Sequence, residues 1–263
     1  MNPGAAWFCG ALVDEATLRI PASSASVTQG VTVYESLRLV DGAAPLVARH
    51  ARRLAEGCAR LGLAGADTDW DAVIRALCAE RGQREGRARI LIGDGFALVT
   101  CGALPSELER ERMAGVELST FRLDHTTYPF KSAQRLALWL AEREAGGEVA
   151  LRDLAGALLE TSRANLFAAA DTRLWTADAA RVLPGVARGI VIELAEELRL
   201  DVIEQAPDLR RLPASAEVFC TNAVRGVRPV ARLDGRALQV ASSASSTMRR
   251  MQRALDARMG LLR

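Results

Sequence analysis

Lys131-Ser132-Ala133-Gln134-Arg135-Leu136 holds the only lysine of a 263-residue chain in which Lys and Arg together number 34. Everywhere else a positive charge is supplied by arginine. A guanidinium stays protonated and cannot condense with a carbonyl, whereas a buried amine gives up its proton and becomes a nucleophile. The single amine marks Lys131 as a residue kept for chemistry. It follows Thr126-Thr127-Tyr128-Pro129, read as loop or extended backbone because a proline pushes its predecessor out of the helical region. Downstream, Leu136, Ala137 and Leu140 share one face of a predicted helix that reaches about Ala145 and stops at Gly146-Gly147.

Upstream, partial alternation from Val31 to Val40 predicts a strand entering a hairpin at Asp41-Gly42. Val47, Ala51, Leu54, Cys58 and Leu61 recur at helical spacing between Leu46 and Leu63, and Trp70 to Glu80 reads as a second helix. Arg89 to Thr100 predicts two strands turning at Asp94-Gly95. Glu107 to Arg112 is helix-prone, and Val116 to Phe121 has strand character. Further on, Glu148 to Phe167 suggests a pair of short strands around Leu154-Ala155-Gly156, and Leu183-Pro184-Gly185 introduces a helix through about Leu200. Glu217 to Cys220 predicts a strand, Asp234-Gly235 a turn, and Ser245 onward a terminal helix. A boundary between Pro105 and Tyr128 divides the chain into an N-terminal α+β domain, 1–115, and a C-terminal α/β domain, 116–263, that carries Lys131.

Composition narrows the function classes. Hydrophobic residues at 49% and charged residues at 25% are ordinary for a globular protein, and the net charge of +2, with both signs interspersed, offers no footprint for nucleic acid. Cys9, Cys58, Cys78, Cys101 and Cys220 are odd in number and scattered, so they read as reduced thiols. His50 and His125 are too few for a visible metal cluster. No segment approaches the roughly 20 apolar residues of a membrane span, and a cytoplasmic protein with a small-molecule partner is expected.

Four local patterns, in order, resemble the fold-type IV family of pyridoxal-phosphate enzymes, which includes branched-chain aminotransferases, D-amino acid aminotransferases and aminodeoxychorismate lyases. They are Tyr34-Glu35-Ser36-Leu37-Arg38 with Asp41-Gly42 and His50-Ala51-Arg52-Arg53-Leu54; Lys131 to Leu136; Glu160-Thr161-Ser162-Arg163-Ala164-Asn165-Leu166-Phe167; and Leu183-Pro184-Gly185-Val186-Ala187-Arg188. The resemblance spans roughly Thr28 to Val230 and implies a two-domain α+β (mixed α/β) fold like that of D-amino acid aminotransferase. It also implies pyridoxal 5'-phosphate as cofactor and a homodimer.

The same match implies roles. Lys131, opening a helix, would bind the cofactor aldehyde covalently and then serve as general base. Arg53 would clamp the phosphate, and Glu160 would keep the pyridine nitrogen protonated. Backbone amides of Val186 and Ala187 would hold the phosphate at a helix N-terminus, with Asn222 of Thr221-Asn222-Ala223 adding a contact. Arg38 is the candidate for a substrate carboxylate. Two departures concern cofactor affinity: Ala187 replaces a threonine common in the family, and Ser23 to Gln29 lacks a frequent aspartate.

Asn222 and the Lys131-x-x-Gln134-Arg135-Leu136 pattern resemble the lyases most, implying conversion of 4-amino-4-deoxychorismate to 4-aminobenzoate and pyruvate, which feeds folate synthesis. Tyr34-Glu35 resembles D-amino acid aminotransferases. An aminotransferase acting on branched-chain or D-amino acids is the alternative, and a non-catalytic binding module on the same fold is the third reading.

Overall fold

A computed structural model describes residue 2 and residues 4–122, 130–240 and 243–262. The expected extended stretch at 126–129 and His125 lie outside the described residues. The chain divides into two units, one comprising the residues up to Pro105 with Phe130–Arg135 and Met259–Leu261, the other built from Ser106 onward. The division thus falls about ten residues before the expected boundary at 115. It also moves Lys131 into the first unit, because its segment pairs with a strand there.

The first unit opens with β1 (Ala5–Phe8) and β2 (Ala11–Asp14), joined by Cys9-Gly10, both at positive φ. This hairpin was not expected. Its strands are only four residues long, too short for alternation to register, and the turn chemistry of its two central residues was the one available signal. After one turn of helix, α1 (Ala25–Thr28), come β3 (Thr32–Leu39), α2 (Val47–Leu61), α3 (Trp70–Arg81), β4 (Gly86–Gly93) and β5 (Phe96–Gly102). The sheet order is β2-β1-β5-β4-β3. Asp41-Gly42 makes a tight turn between Val40 and Ala43, but β3 finds its ladder partner in β4, antiparallel from Thr32↔Gly93 to Leu39↔Gly86. The hairpin expected at Asp41-Gly42 is only that one bridge.

Both long helices end where a left-handed residue is needed, at Gly62 (φ 65°) and Gly82 (φ 64°). Asp69 caps α3 by accepting from the amide of Ala72 at 3.1 Å. Leu54, Cys58, Ile74, Leu77 and Cys78 from the helices pack on Val33, Leu37, Leu39, Ile90 and Val99 of the sheet. The core-facing side of β3 is therefore its odd-numbered side, and Glu35 belongs to it.

The second unit begins with α4 (Leu108–Ala114) and β6 (Val116–Arg122), followed by α5 (Leu136–Ala145), β7 (Val149–Arg152), β8 (Leu158–Thr161), β9 (Asn165–Ala170) and β10 (Arg173–Thr176). Three strands thus occupy the span read as two. Then come α6 (Val186–Glu197), β11 (Asp201–Ile203), β12 (Glu217–Asn222), β13 (Gly226–Leu233), β14 (Arg236–Ala237) and α7 (Thr247–Arg258). The strand order β11-β10-β9-β12-β13-β6-β7-β8, with β8 also paired to β9, closes six strands into a ring and leaves no free edge among them. Val116, Leu118, Leu166, Ala168, Val218, Cys220 and Val230 cluster on one side of these strands. On the other side Phe167 and Phe219 stack at 5.3 Å between centroids.

Within this unit the fully buried Arg228 meets Glu111 at 2.9 Å and Glu148 at 2.9 Å, and Glu148 in turn meets the Thr161 hydroxyl. Removing one partner of such a buried ion group strands a charge, so the network pins the end of β8 beside Glu160. α5 begins at Leu136, five residues after Lys131, so the lysine does not open it. Its inward side is Ala141 with Leu138, whereas Leu136 and Leu140 are 70% and 50% exposed. The face that Leu136, Ala137 and Leu140 share is the outer one. No described helix is long and apolar enough to cross a membrane.

Candidate active site

Lys131 sits in an extended segment laid against β3: its carbonyl accepts from the Tyr34 amide at 2.8 Å, Ser132 bridges Val33, and the Ala133 amide reaches Thr32 Oγ1 at 3.3 Å. Backbone pairing therefore sets the lysine over the even-numbered side of β3. Its side chain is half-buried, with Nζ 5.1 Å from the centroid of the Tyr34 ring. Burial pulls its pKa below the usual lysine value, and the positive charges of Arg53 and Arg135 act in the same direction against the opposing pull of Tyr34 and Glu35. An amine so placed is more readily deprotonated than one in water.

Tyr34 collects cations. The Arg89 guanidinium lies 4.5 Å over its ring, and Arg135 Nη1 is 3.4 Å from its hydroxyl. Burial opposes ionisation of this phenol, but Lys131, Arg135 and Arg89 prevail and lower its pKa. The same sheet side carries Arg38, directly opposite Arg87 in the β3–β4 register. Like charges facing each other across a ladder are destabilising. Tolerating them concentrates positive potential on this face.

On the core side of β3, Glu35 accepts from Arg53 Nε at 2.7 Å, from Arg53 Nη2 at 2.6 Å, and pairs with His50 Nδ1 at 2.7 Å. Burial works to raise the Glu35 pKa, yet the Arg53 charge and the hydrogen bonds of His50 and Arg53 hold it at about 2. His50 is shifted down as well, mainly by burial. Both folded-state values lie below their unfolded ones of 4.5 and 6.5, so acid protonates the unfolded chain first. Stability from this group is complete above pH 6.5 and is lost as pH falls toward 2. The Glu35–Arg53–His50 group contributes on the order of a few kcal/mol at neutral pH. Urea unfolding of wild type between pH 7 and 3 should show that decline, and Glu35→Gln should flatten it.

In the second unit, Glu160 on β8 is buried and accepts from Asn165 Nδ2 at 3.2 Å and, at longer range, from the Leu183 amide at 3.3 Å. Asn165 Nδ2 also donates to the Leu183 carbonyl at 2.9 Å. The Glu160 and Leu183-Pro184-Gly185 patterns are thereby tied together through one asparagine. Gly185 then caps α6 without any side-chain acceptor, leaving the first amides of that helix without intrahelical partners. A Cβ at Gly185 would run into Asn165 Oδ1, although the backbone there is an ordinary extended one (φ −66°). Gly185→Ala should therefore cost about 1–3 kcal/mol by overpacking, read as a lower thermal midpoint, and should weaken anion binding at α6 because Asn165 must move.

The Asn222 side chain is engaged within the turn. Its Oδ1 accepts from the amides of Val224 at 3.1 Å and Arg225 at 2.7 Å, and its Nδ2 donates to the Arg163 carbonyl at 3.2 Å. It shapes the turn from β12 to β13. The loop hydroxyl left for a ligand is Thr221 Oγ1, buried and without a hydrogen-bond partner among the described residues, on the strand position paired with Asn165. An orphaned donor beside an uncapped helix start fits a phosphate, which accepts from both. Ala187 is buried and adds only its amide.

A model of the amino-transferase class IV family matches residues 32–233 of the chain. The chain belongs to that family. A probable branched-chain-amino-acid aminotransferase of Rickettsia typhi is 25% identical over 251 residues, covering 87% of each protein. Among solved structures, the branched-chain amino acid aminotransferase of Escherichia coli superposes with a TM-score of 0.83 at 22% identity, covering 98% of this chain and 96% of that one. The 4-amino-4-deoxychorismate lyase of Pseudomonas aeruginosa gives 0.78 at 24% identity, covering 96% and 98%.

The mixed α/β fold is the fold-type IV one, and class IV enzymes are pyridoxal-phosphate-dependent aminotransferases or lyases. Of the positions singled out in the sequence of this class IV enzyme, Lys131, Arg53 and Arg38 fall in the first unit, and Glu160, Val186, Ala187 and Asn222 in the second. The partners of these residues were not foreseen. Glu35 could have been: a carboxylate among Val33, Leu37 and Leu39 on the core side of a strand demands a cation. Arg89 carries no such mark, because nothing local distinguishes it from an ordinary strand residue; Asn165 and Thr221 lie inside the matched patterns, but only the fold sets them opposite one another.

Proposed function

We propose that the chain is a lyase acting on 4-amino-4-deoxychorismate and releasing 4-aminobenzoate and pyruvate. The carrying observation is the cationic side of the first sheet, where Lys131, Arg89 and Arg135 surround Tyr34 and Arg38 faces Arg87. That surface suits a substrate bearing two carboxylates. A branched aliphatic side chain would gain nothing from it.

Bound pyridoxal 5'-phosphate supplies an aldehyde for Lys131 and a ring that accepts electrons from the carbon beside the substrate nitrogen. Lys131, with its pKa depressed, would hold the cofactor aldehyde and would serve as the base for the proton beside the substrate nitrogen. Glu160, anchored by Asn165, would be the carboxylate that keeps the ring nitrogen protonated. By the family resemblance, Arg53 in the first unit, and Thr221 Oγ1 with the α6 amides of Val186 and Ala187 in the second, would be the phosphate ligands. Asn222 keeps the Thr221 loop in shape, and Arg38 and Arg89 orient substrate carboxylates.

An aminotransferase is the second reading, supported by the branched-chain aminotransferases that match the chain along most of its length. Cofactor-loaded protein incubated with 4-amino-4-deoxychorismate should form 4-aminobenzoate and pyruvate in equal amounts over many turnovers. Stoichiometric conversion to the aminated cofactor by L-leucine or D-alanine, reversed only by a keto acid, would overturn the lyase assignment in favour of the second.

A further inference from the structure

We propose that Glu35 and His50 are positioning residues for Arg53, setting its guanidinium in the one plane from which it can grip the cofactor phosphate; this rests on the reading of Arg53 as phosphate ligand. Glu35 is fully buried at a strand position whose neighbours on the same side, Val33, Leu37 and Leu39, are apolar. It engages Arg53 side-on, through Nε and Nη2 at 2.7 and 2.6 Å, so the guanidinium can neither rotate about its own axis nor tilt. His50, one helical turn before Arg53 on α2, meets Glu35 Oε2 at 2.7 Å and so fixes the carboxylate in its turn.

A purely structural link between α2 and β3 would not need this arrangement. Replacing a buried ion pair by packed apolar residues is often neutral or stabilising. Here three polar side chains are buried, and His50 Nε2 has no hydrogen-bond partner among the described residues. Since Glu35 neutralises the Arg53 charge, what the carboxylate adds to anion binding is orientation rather than potential. His50 donates from Nδ1 and remains neutral, so the group as a whole carries no excess charge that would bind any anion indiscriminately.

The test compares equilibrium affinity for pyridoxal 5'-phosphate with that for pyridoxal, which lacks the phosphate, by dialysis of purified protein. Wild type should prefer the phosphorylated form, and Arg53→Gln should lose most of that preference. Glu35→Gln places an amide N–H against an arginine N–H and should reduce the preference about ten- to a hundred-fold, the value of one misplaced charge-assisted hydrogen bond, with pyridoxal affinity unchanged. His50→Asn, which keeps a donor toward Glu35, should retain more of the preference than His50→Phe, and this pair decides the matter if Glu35→Gln does not fold. Equal loss of both ligands in Glu35→Gln and equal behaviour of the two His50 variants would mean a structural role and overturn the proposal. Absence of any preference in wild type would instead sink the reading of Arg53 as phosphate ligand.

Discussion

Lys131→Ala should abolish turnover, with a loss of at least about 10⁴-fold, the upper end of what one acid–base group contributes, because the same amine also holds the cofactor. The protein should no longer yield a cofactor adduct on borohydride treatment. Lys131→Arg makes the sharper comparison. It keeps a cation near Tyr34, whose ring already carries Arg89 at 4.5 Å, but a guanidinium neither condenses with an aldehyde nor releases its proton. The two variants should be equally inactive and both should fold, since Lys131 is tied to β3 by its backbone carbonyl rather than by its side chain. A Lys131→Arg protein that retained turnover would show that the depressed amine is not the reacting group.

Glu160→Gln is the second large effect, with kcat lower by about 10²–10³-fold, the scale seen when one preorganised electrostatic contact to the reacting system is removed. The carboxylate is held by Asn165 Nδ2 and the Leu183 amide, both donors. Glutamine keeps one acceptor and turns an amide N–H toward them, so it either loses a contact or flips away from the ring nitrogen. Cofactor should still bind, because Lys131 and the phosphate groups are untouched. The signature is a kcat defect with retained yellow colour, checked by steady-state kinetics on the cofactor-loaded variant. Loss of colour together with activity would indicate that Glu160 serves the fold rather than the ring.

The residues proposed for the site carry marks in the sequence: Lys131 stands out because arginine fills every other cationic position, and Glu160 and the Leu183-Pro184-Gly185 turn are marked by their order along the chain. Helix ends at Gly62 and Gly82 follow from local backbone need, and α2 follows from the spacing of Leu54 and Cys58. Which face of α5 turns inward is not legible in the sequence, because Leu136 and Leu140 obey helical spacing as well as Leu138 and Ala141 do, and periodicity alone does not say which of two apolar stripes meets the sheet. The hydrogen bonds of Asn222 are not legible in its loop pattern: its oxygen serves the Val224 and Arg225 amides, a short-range bond that asparagine forms where a turn presents two free N–H groups.

The amino-acid sequence by itself determined the local features of this protein: turns where glycine must take positive φ, helices with apolar spacing, and one amine fit for covalent chemistry. Tertiary structure alone decided which strand β3 pairs with, how six strands close into a ring, and that Glu35 would be neutralised by Arg53 and His50 of α2. Backbone hydrogen bonds are alike in every register, so pairing across fifty residues is chosen by the packing of side chains and the cancellation of buried charge, which exist only once the chain has folded.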